Sequence, residues 1–187
     1  MEKENEPGRY SINLALVFQE RQMCTPLSFL SSRIPLITTA LSFQFNYPEL
    51  DMDKFVDEQV RNNTFKQACK EIAKGRKEGC WIWFVIPTPY YEYARAFSKE
   101  YSLKSKAEAI KYLAFSKAGV SLRDNYLKIL KLIRKRMRKH GDSLEDIFHW
   151  DAVKVESSLR FFLKIVKKGP DEELTKVLKS IVRRLKK

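Results

Sequence analysis

The chain has 187 residues, of which 44% are hydrophobic and 32% charged; that is enough for one domain with a buried core and an appended segment, and it excludes wholesale disorder. An excess of lysine and arginine gives a formal net charge of +13, which favours an acidic partner such as nucleic acid or a phosphate-bearing ligand but is also a common route to solubility. Three cysteines without CxxC spacing and two histidines fall short of the roughly four closely spaced ligands of a zinc site, so no metal or cofactor is expected, and the setting reads as reducing and cytoplasmic.

Residues 1–50 contain Pro7, Pro26, Pro35 and Pro48 and no sustained hydrophobic period, which reads as an irregular extension. The opening Met1-Glu2-Lys3-Glu4 has the wrong charge for a signal peptide. Leu27 to Phe45 is apolar, but Arg33 and Pro35 interrupt it. A spanning helix needs about 20 predominantly apolar residues, so no membrane span is expected.

From Asp51 the pattern is helical, and residues 51–187 are expected to form a single compact all-α domain. Asp53 to Lys74 places Phe65, Cys69 and Ile72 on one face, with Asn62-Asn63 as a break and Gly75 as a left-handed cap. Cys80 to Ile86 reads as one short extended segment. Ser105-Lys106-Ala107-Glu108 is a capping box that opens a helix through Leu113. Leu122, Tyr126, Ile129, Leu130, Ile133 and Met137 form a long apolar stripe, and Ser143 opens a short helix ending near Trp150. Asp151 to Lys168 buries Val155, Leu159, Phe162 and Val166. The last helix has acids at its start (Asp171, Glu172, Glu173) and bases at its end (Arg183, Arg184, Lys186, Lys187). Both complement the helix dipole.

The motif order Phe55-Val56-Asp57-Glu58-Gln59, Gly75-Arg76-Lys77, Trp81-Ile82-Trp83-Phe84-Val85-Ile86-Pro87, then Tyr101-Ser102-Leu103, Glu108-Ala109, Tyr112-Leu113, Ile147-Phe148, Asp151, Lys154, Ser157 and Ser158 resembles a bacterial family. It is the domain of unknown function 1810, sometimes labelled calpastatin-like. The resemblance covers about residues 51–187. Three places depart from the family's pattern: Cys80 where a histidine is usual, Thr88 where a glutamine is usual, and Tyr90-Tyr91-Glu92-Tyr93 in place of a glycine-containing loop. The motif order is also similar to that of all-helical N-glycosidases that process ADP-ribose derivatives. That similarity implies a nucleotide- or ADP-ribose-type ligand, with hydrolysis of an N-glycosidic bond if the chain is an enzyme.

Three groups of residues are candidates for function. Trp81 and Trp83, on one face of an extended segment, either fill the core or wall a pocket in which a base stacks beside Arg76 and Lys77. Asp151, Lys154 and Ser158 share a helix stripe. Either Asp151 caps the helix and pairs with Lys154, or it is the catalytic carboxylate, with Lys154 and Ser158 holding phosphate. Lys128, Lys131, Lys135 and Arg138 lie opposite the apolar stripe of their helix, as a solvated face or a polyanion-binding one. His140 and His149 are assigned no role.

Overall fold

The computed structural model describes residues 51–186, and the extension expected over residues 1–50, with its apolar Leu27–Phe45 stretch, lies outside them. Among the described residues the architecture is almost entirely helical. Helix α1 (Asp53–Val60) gives way to a 3-10 turn at Arg61–Asn63 and then to α2 (Thr64–Lys74). The break falls where the paired asparagines predict it: Asn62 and Asn63 both adopt positive φ (52° and 57°), the left-handed conformation that asparagine tolerates better than most residues. Gly75 ends α2 at φ 94°.

Short helices α3 (Ile82–Val85), α4 (Ala96–Glu100) and α5 (Lys106–Ala114) follow. Ser105 accepts from the Glu108 amide at 3.1 Å as the capping box predicts, but Glu108 reaches back to the Lys104 amide, one residue early. A two-residue hairpin, β1 (Ser116–Lys117) and β2 (Val120–Ser121), turns on Ala118 and Gly119, both at positive φ, the geometry of a tight primed turn. The long α6 (Leu122–Lys139) is next, then α7 (Leu144–Phe148), a 3-10 turn at His149–Asp151, α8 (Ala152–Val166) and α9 (Glu172–Val182).

Helix α6 is the central pillar, packing against α2, α5 and α9, while α8 packs against α5, α7 and α9. Every member of its predicted apolar stripe is buried, as are Val155, Leu159, Phe162 and Val166 of α8 and Leu174, Val177, Leu178 and Ile181 of α9. Asp171 closes the arrangement. Its carboxylate caps α9 by accepting from the Leu174 amide and takes two hydrogen bonds, at 2.8 and 2.9 Å, from Arg123 in the first turn of α6.

One expectation is corrected. Cys80–Ile86 is not extended: α3 is a helical turn, closed by Val85 N–H to Trp81 O and Ile86 N–H to Ile82 O. A run of aromatic and β-branched residues favours a strand only where a neighbouring strand can take its backbone hydrogen bonds. None is adjacent among the described residues, and a helical turn satisfies those groups internally while burying Trp81, Ile82, Phe84 and Val85. The change separates the tryptophans. Two residues along a helix is a rotation of about 200°, so they point to different sides.

Gly75 offers a check on the end of α2. A Cβ at this position would lie 2.4 Å from Arg136 Nη2, and Arg136 is held in place by Asp142 at 2.6 Å. Gly75→Ala should therefore lower stability by about 1–2 kcal/mol from left-handed strain alone, measured by urea unfolding, with the Arg136–Asp142 pair displaced as well.

Candidate functional site

The site begins at a buried acid. Glu71 lies on the core-facing side of α2 and is only 5% exposed. Past the Gly75 cap the chain folds back over it. The amides of Glu78 and Gly79 donate to Glu71 Oε2 at 2.8 and 2.9 Å, the Trp81 indole N–H donates to the same oxygen at 2.7 Å, and Gln67 donates to Oε1. Burial pushes the Glu71 carboxyl up, but these four donors outweigh it and hold the group below the ordinary carboxylate range. Gly79 is needed for close approach, since a Cβ there would meet the Trp81 ring at 2.9 Å and Glu71 Oε1 at 3.0 Å. The two glycines that bracket the basic turn thus have separate jobs, one of backbone sign and one of space.

The turn is fixed at its middle by Lys77 N–H to Ile147 O at 2.7 Å. This sends the Lys77 side chain, 11% exposed, to Asp151 Oδ2 at 2.7 Å. The other carboxylate oxygen of Asp151 takes Lys154 at 2.6 Å. Burial raises the Asp151 carboxyl, but Lys154 and Lys77 more than offset this and lower it, so the group is ionised at neutral pH. Asp151 precedes α8 yet makes no side-chain cap hydrogen bond. Its pairing with Lys154 agrees with the sequence reading; its capping does not.

The tryptophans meet the same two lysines. Lys77 Nζ lies 5.5 Å from the Trp81 ring centre and Lys154 Nζ lies 5.0 Å from that of Trp83, within cation–π range. Trp81 is 1% exposed and packs edge-on against Phe148, so it underpins the site from the core. Trp83 is half-buried, donates to Ser98 Oγ at 2.9 Å and packs edge-on to Phe97. Lys77, Trp81, Trp83, Asp151 and Lys154, chosen from separate stretches of sequence, therefore come together in one cluster.

Ser158 and Arg76 do not join them. Ser158 is fully buried, donating to Pro87 O at 2.7 Å and lying 3.2 Å from the Tyr126 hydroxyl, which leaves its hydroxyl inaccessible to a phosphate. Arg76 is exposed and forms no ion pair with a described residue. Lys128, Lys131, Lys135 and Arg138 are all exposed, as expected. Lys131 is nonetheless paired with Glu173 at 2.5 Å, and Lys128 sits over the Phe65 ring.

Two features of the site were not found by sequence reasoning. Glu71 is one; its signal was an acid at a core-facing position, one residue before buried Ile72 and three after buried Ala68. The other is the segment before Asp151, where His149 has φ 51° and ψ −123° and Trp150 is 96% exposed. Such strain in a non-glycine residue persists only where surrounding structure imposes it, and it recurs at functional sites. No periodicity signals it. Among the described residues no group of three or more histidine, cysteine or acidic side chains is placed to hold a metal, and no helix is long and apolar enough to cross a membrane.

A family model described as "Protein of unknown function (DUF1810)" matches residues 49–184. No curated protein matches the chain. Among solved structures it is similar to the crystal structure of the conserved hypothetical protein Rv1873 from Mycobacterium tuberculosis, at 24% identity and a TM-score of 0.60, over 72% of this chain and 86% of that one. At that identity the likeness is one of fold.

Glu71→Gln tests the centre of the site. The amide keeps one acceptor oxygen but turns an NH2 group towards donors, and should cost about 1–3 kcal/mol in urea unfolding at pH 7. Because the folded carboxyls of Glu71 and Asp151 are depressed, the stability they confer is full above the unfolded values near about pH 4 and is lost as pH falls through the folded ones. The acid-side loss of stability should be shallower in Glu71→Gln than in the wild type.

Proposed function

The chain belongs to the family of proteins of unknown function DUF1810, and from its site we propose that it binds a phosphate-bearing, ring-containing ligand of the nucleotide or ADP-ribose class at Lys77, Lys154 and Trp83. The supporting observation is convergence. Residues from the turn at Lys77, the tryptophan segment and the start of α8 meet around one carboxylate, with two ammonium groups within 2.7 Å of it.

Two cations on one ionised acid leave a net positive charge with its donors already oriented, so an incoming phosphate meets lysines whose conformational freedom is largely gone. Lys154 lies over Trp83, which places the phosphate-binding ammonium beside an aromatic surface. Trp150, adjacent to Asp151 and almost wholly exposed, provides a second indole; stacking of a base on such a ring is worth about 1–3 kcal/mol.

The geometry favours binding over N-glycosidic cleavage. Both Asp151 oxygens carry an ammonium and the carboxyl is held ionised, so it has no proton to donate. Its negative charge suits a developing ribosyl cation, but the lysines compete for it. We assign Asp151 to positioning Lys77 and Lys154.

A thermal-shift titration of the full chain with AMP, ADP and ADP-ribose tests the reading. A bound ligand should raise the melting temperature and change tryptophan emission, with a gain of about 2.7 kcal/mol at a hundred times Kd. Lys77→Gln and Lys154→Gln should each weaken binding at least tenfold, while Asp151→Asn, which keeps both ammonium groups but loosens their placement, should weaken it less than either. The absence of any shift at millimolar ligand in folded protein would overturn the proposal.

A further inference from the structure

A second feature lies apart from this cluster, along α6 and α9. There a groove of about 910 Å³ runs between the two helices and the turn joining α8 to α9. Helix α6 contributes Arg134 and Arg138 to its wall, and the turn contributes Lys167. From α9 come Lys176 and Lys179, with Arg183 at its C-cap, three residues at i, i+3 and i+7 that share one face because the opposite face carries the buried Leu174, Val177, Leu178 and Ile181. Arg184 follows just beyond the helix. Seven cations line the groove and Glu172 is its one acid.

These cations contrast with Arg123, Lys131 and Arg136 of α6, each of which is paired with an acid. Arg123 is paired with Asp171 and Lys131 with Glu173, whereas the seven groove cations make no ion pair with a described residue. Like charges gathered in a concavity repel, and a multivalent anion relieves that repulsion over several contacts at once.

The lining also limits what kind of anion fits. It holds no aromatic side chain on which unpaired bases could stack and no asparagine or glutamine to pair with adenine, so its lysines and arginines are left to meet the phosphates that face outward on a duplex. Helix α9, with 11 residues, is about 16 Å long. A duplex rises about 3.4 Å per base pair along its axis, so that length corresponds to about five base pairs, of which the groove meets the phosphates on the side that faces it.

We propose that the α6–α9 groove binds the phosphodiester backbone of double-stranded nucleic acid without regard to sequence. The contacts are made by Arg134, Arg138, Lys176, Lys179 and Arg183. The polyanion surface expected on the outer face of α6 is thereby moved to its side, and only Arg138 is common to both.

Fluorescence polarisation with the full chain and two labelled 20-base-pair duplexes of unrelated sequence, over a salt series, tests this. The wild type should bind both duplexes equally and lose affinity steeply with salt, by about 0.9 log units per log unit of salt for each phosphate neutralised. Replacing Arg134, Lys176, Lys179 and Arg183 together with glutamine should weaken binding more than tenfold at low salt and reduce the slope by about 3–4. A control variant with Lys66, Lys70, Lys74 and Lys128 changed to glutamine removes the same charge from exposed positions on α2 and α6 and should keep the wild-type slope. Circular dichroism melts establish that both variants fold. Equal losses in the two variants would overturn the groove assignment. So would no duplex binding at low salt, tighter binding of a single strand, or tighter binding of inorganic polyphosphate. The Lys77 and Lys154 variants lie outside the groove, so a failure of the nucleotide reading leaves this result unaffected.

Discussion

The hydrogen bonding of the Glu71 carboxylate organises everything around the Asp151 cluster. An acid buried at the end of a helix is costly unless every lone pair facing the interior is used. Here the next ten residues supply three of the four donors, and in doing so the chain must reverse direction over the end of α2. That reversal aims Lys77, buries Trp81 and starts α3. Without it nothing in the local sequence would bring the basic turn to the beginning of α8. The cluster is therefore held by a polar core contact two steps removed from its two lysines.

A second layer of buried polar contacts ties the same region to the rest of the domain. Gln59 of α1 donates to Phe84 O at 2.7 Å and accepts from Asn125 of α6 at 2.7 Å, joining three helices through one amide. Ser158 connects α8 to the carbonyl of Pro87. Polar contacts of this kind add little net stability but specify one arrangement, because any displacement leaves a buried donor or acceptor unmade. They suit a site whose two lysines must remain within hydrogen-bonding distance of one aspartate.

Much of the fold was legible in sequence because it rests on period and punctuation. The stripes of α6, α8 and α9, the Asn62-Asn63 break and the Gly75 cap are local signals. The tryptophan segment was misread because propensity describes what a residue prefers when a sheet is at hand, and among the described residues no strand pairs with it. Lys77, Trp83, Asp151 and Lys154 were found individually, but their meeting depended on Glu71, two of whose four donors are backbone amides and so leave no mark in residue identity. The groove was legible only as an excess of charge. Its walls come from helices distant in sequence, and composition cannot say which lysines have acids nearby.

The direction of the helices bears on how that charge is felt. Arg123 at the start of α6 meets Asp171 at the start of α9, and Gly75 at the end of α2 approaches Arg136 near the end of α6. Helices α2, α6 and α9 thus run the same way, and their carboxyl ends gather at one pole of the domain. Each such end has roughly half a negative charge on its unpaired carbonyls, and three side by side would repel. The basic residues at that pole, among them Lys74, Lys139 and Arg183, counter a field the backbone itself creates. Part of the chain's surplus of lysine and arginine is in this sense internal to the fold.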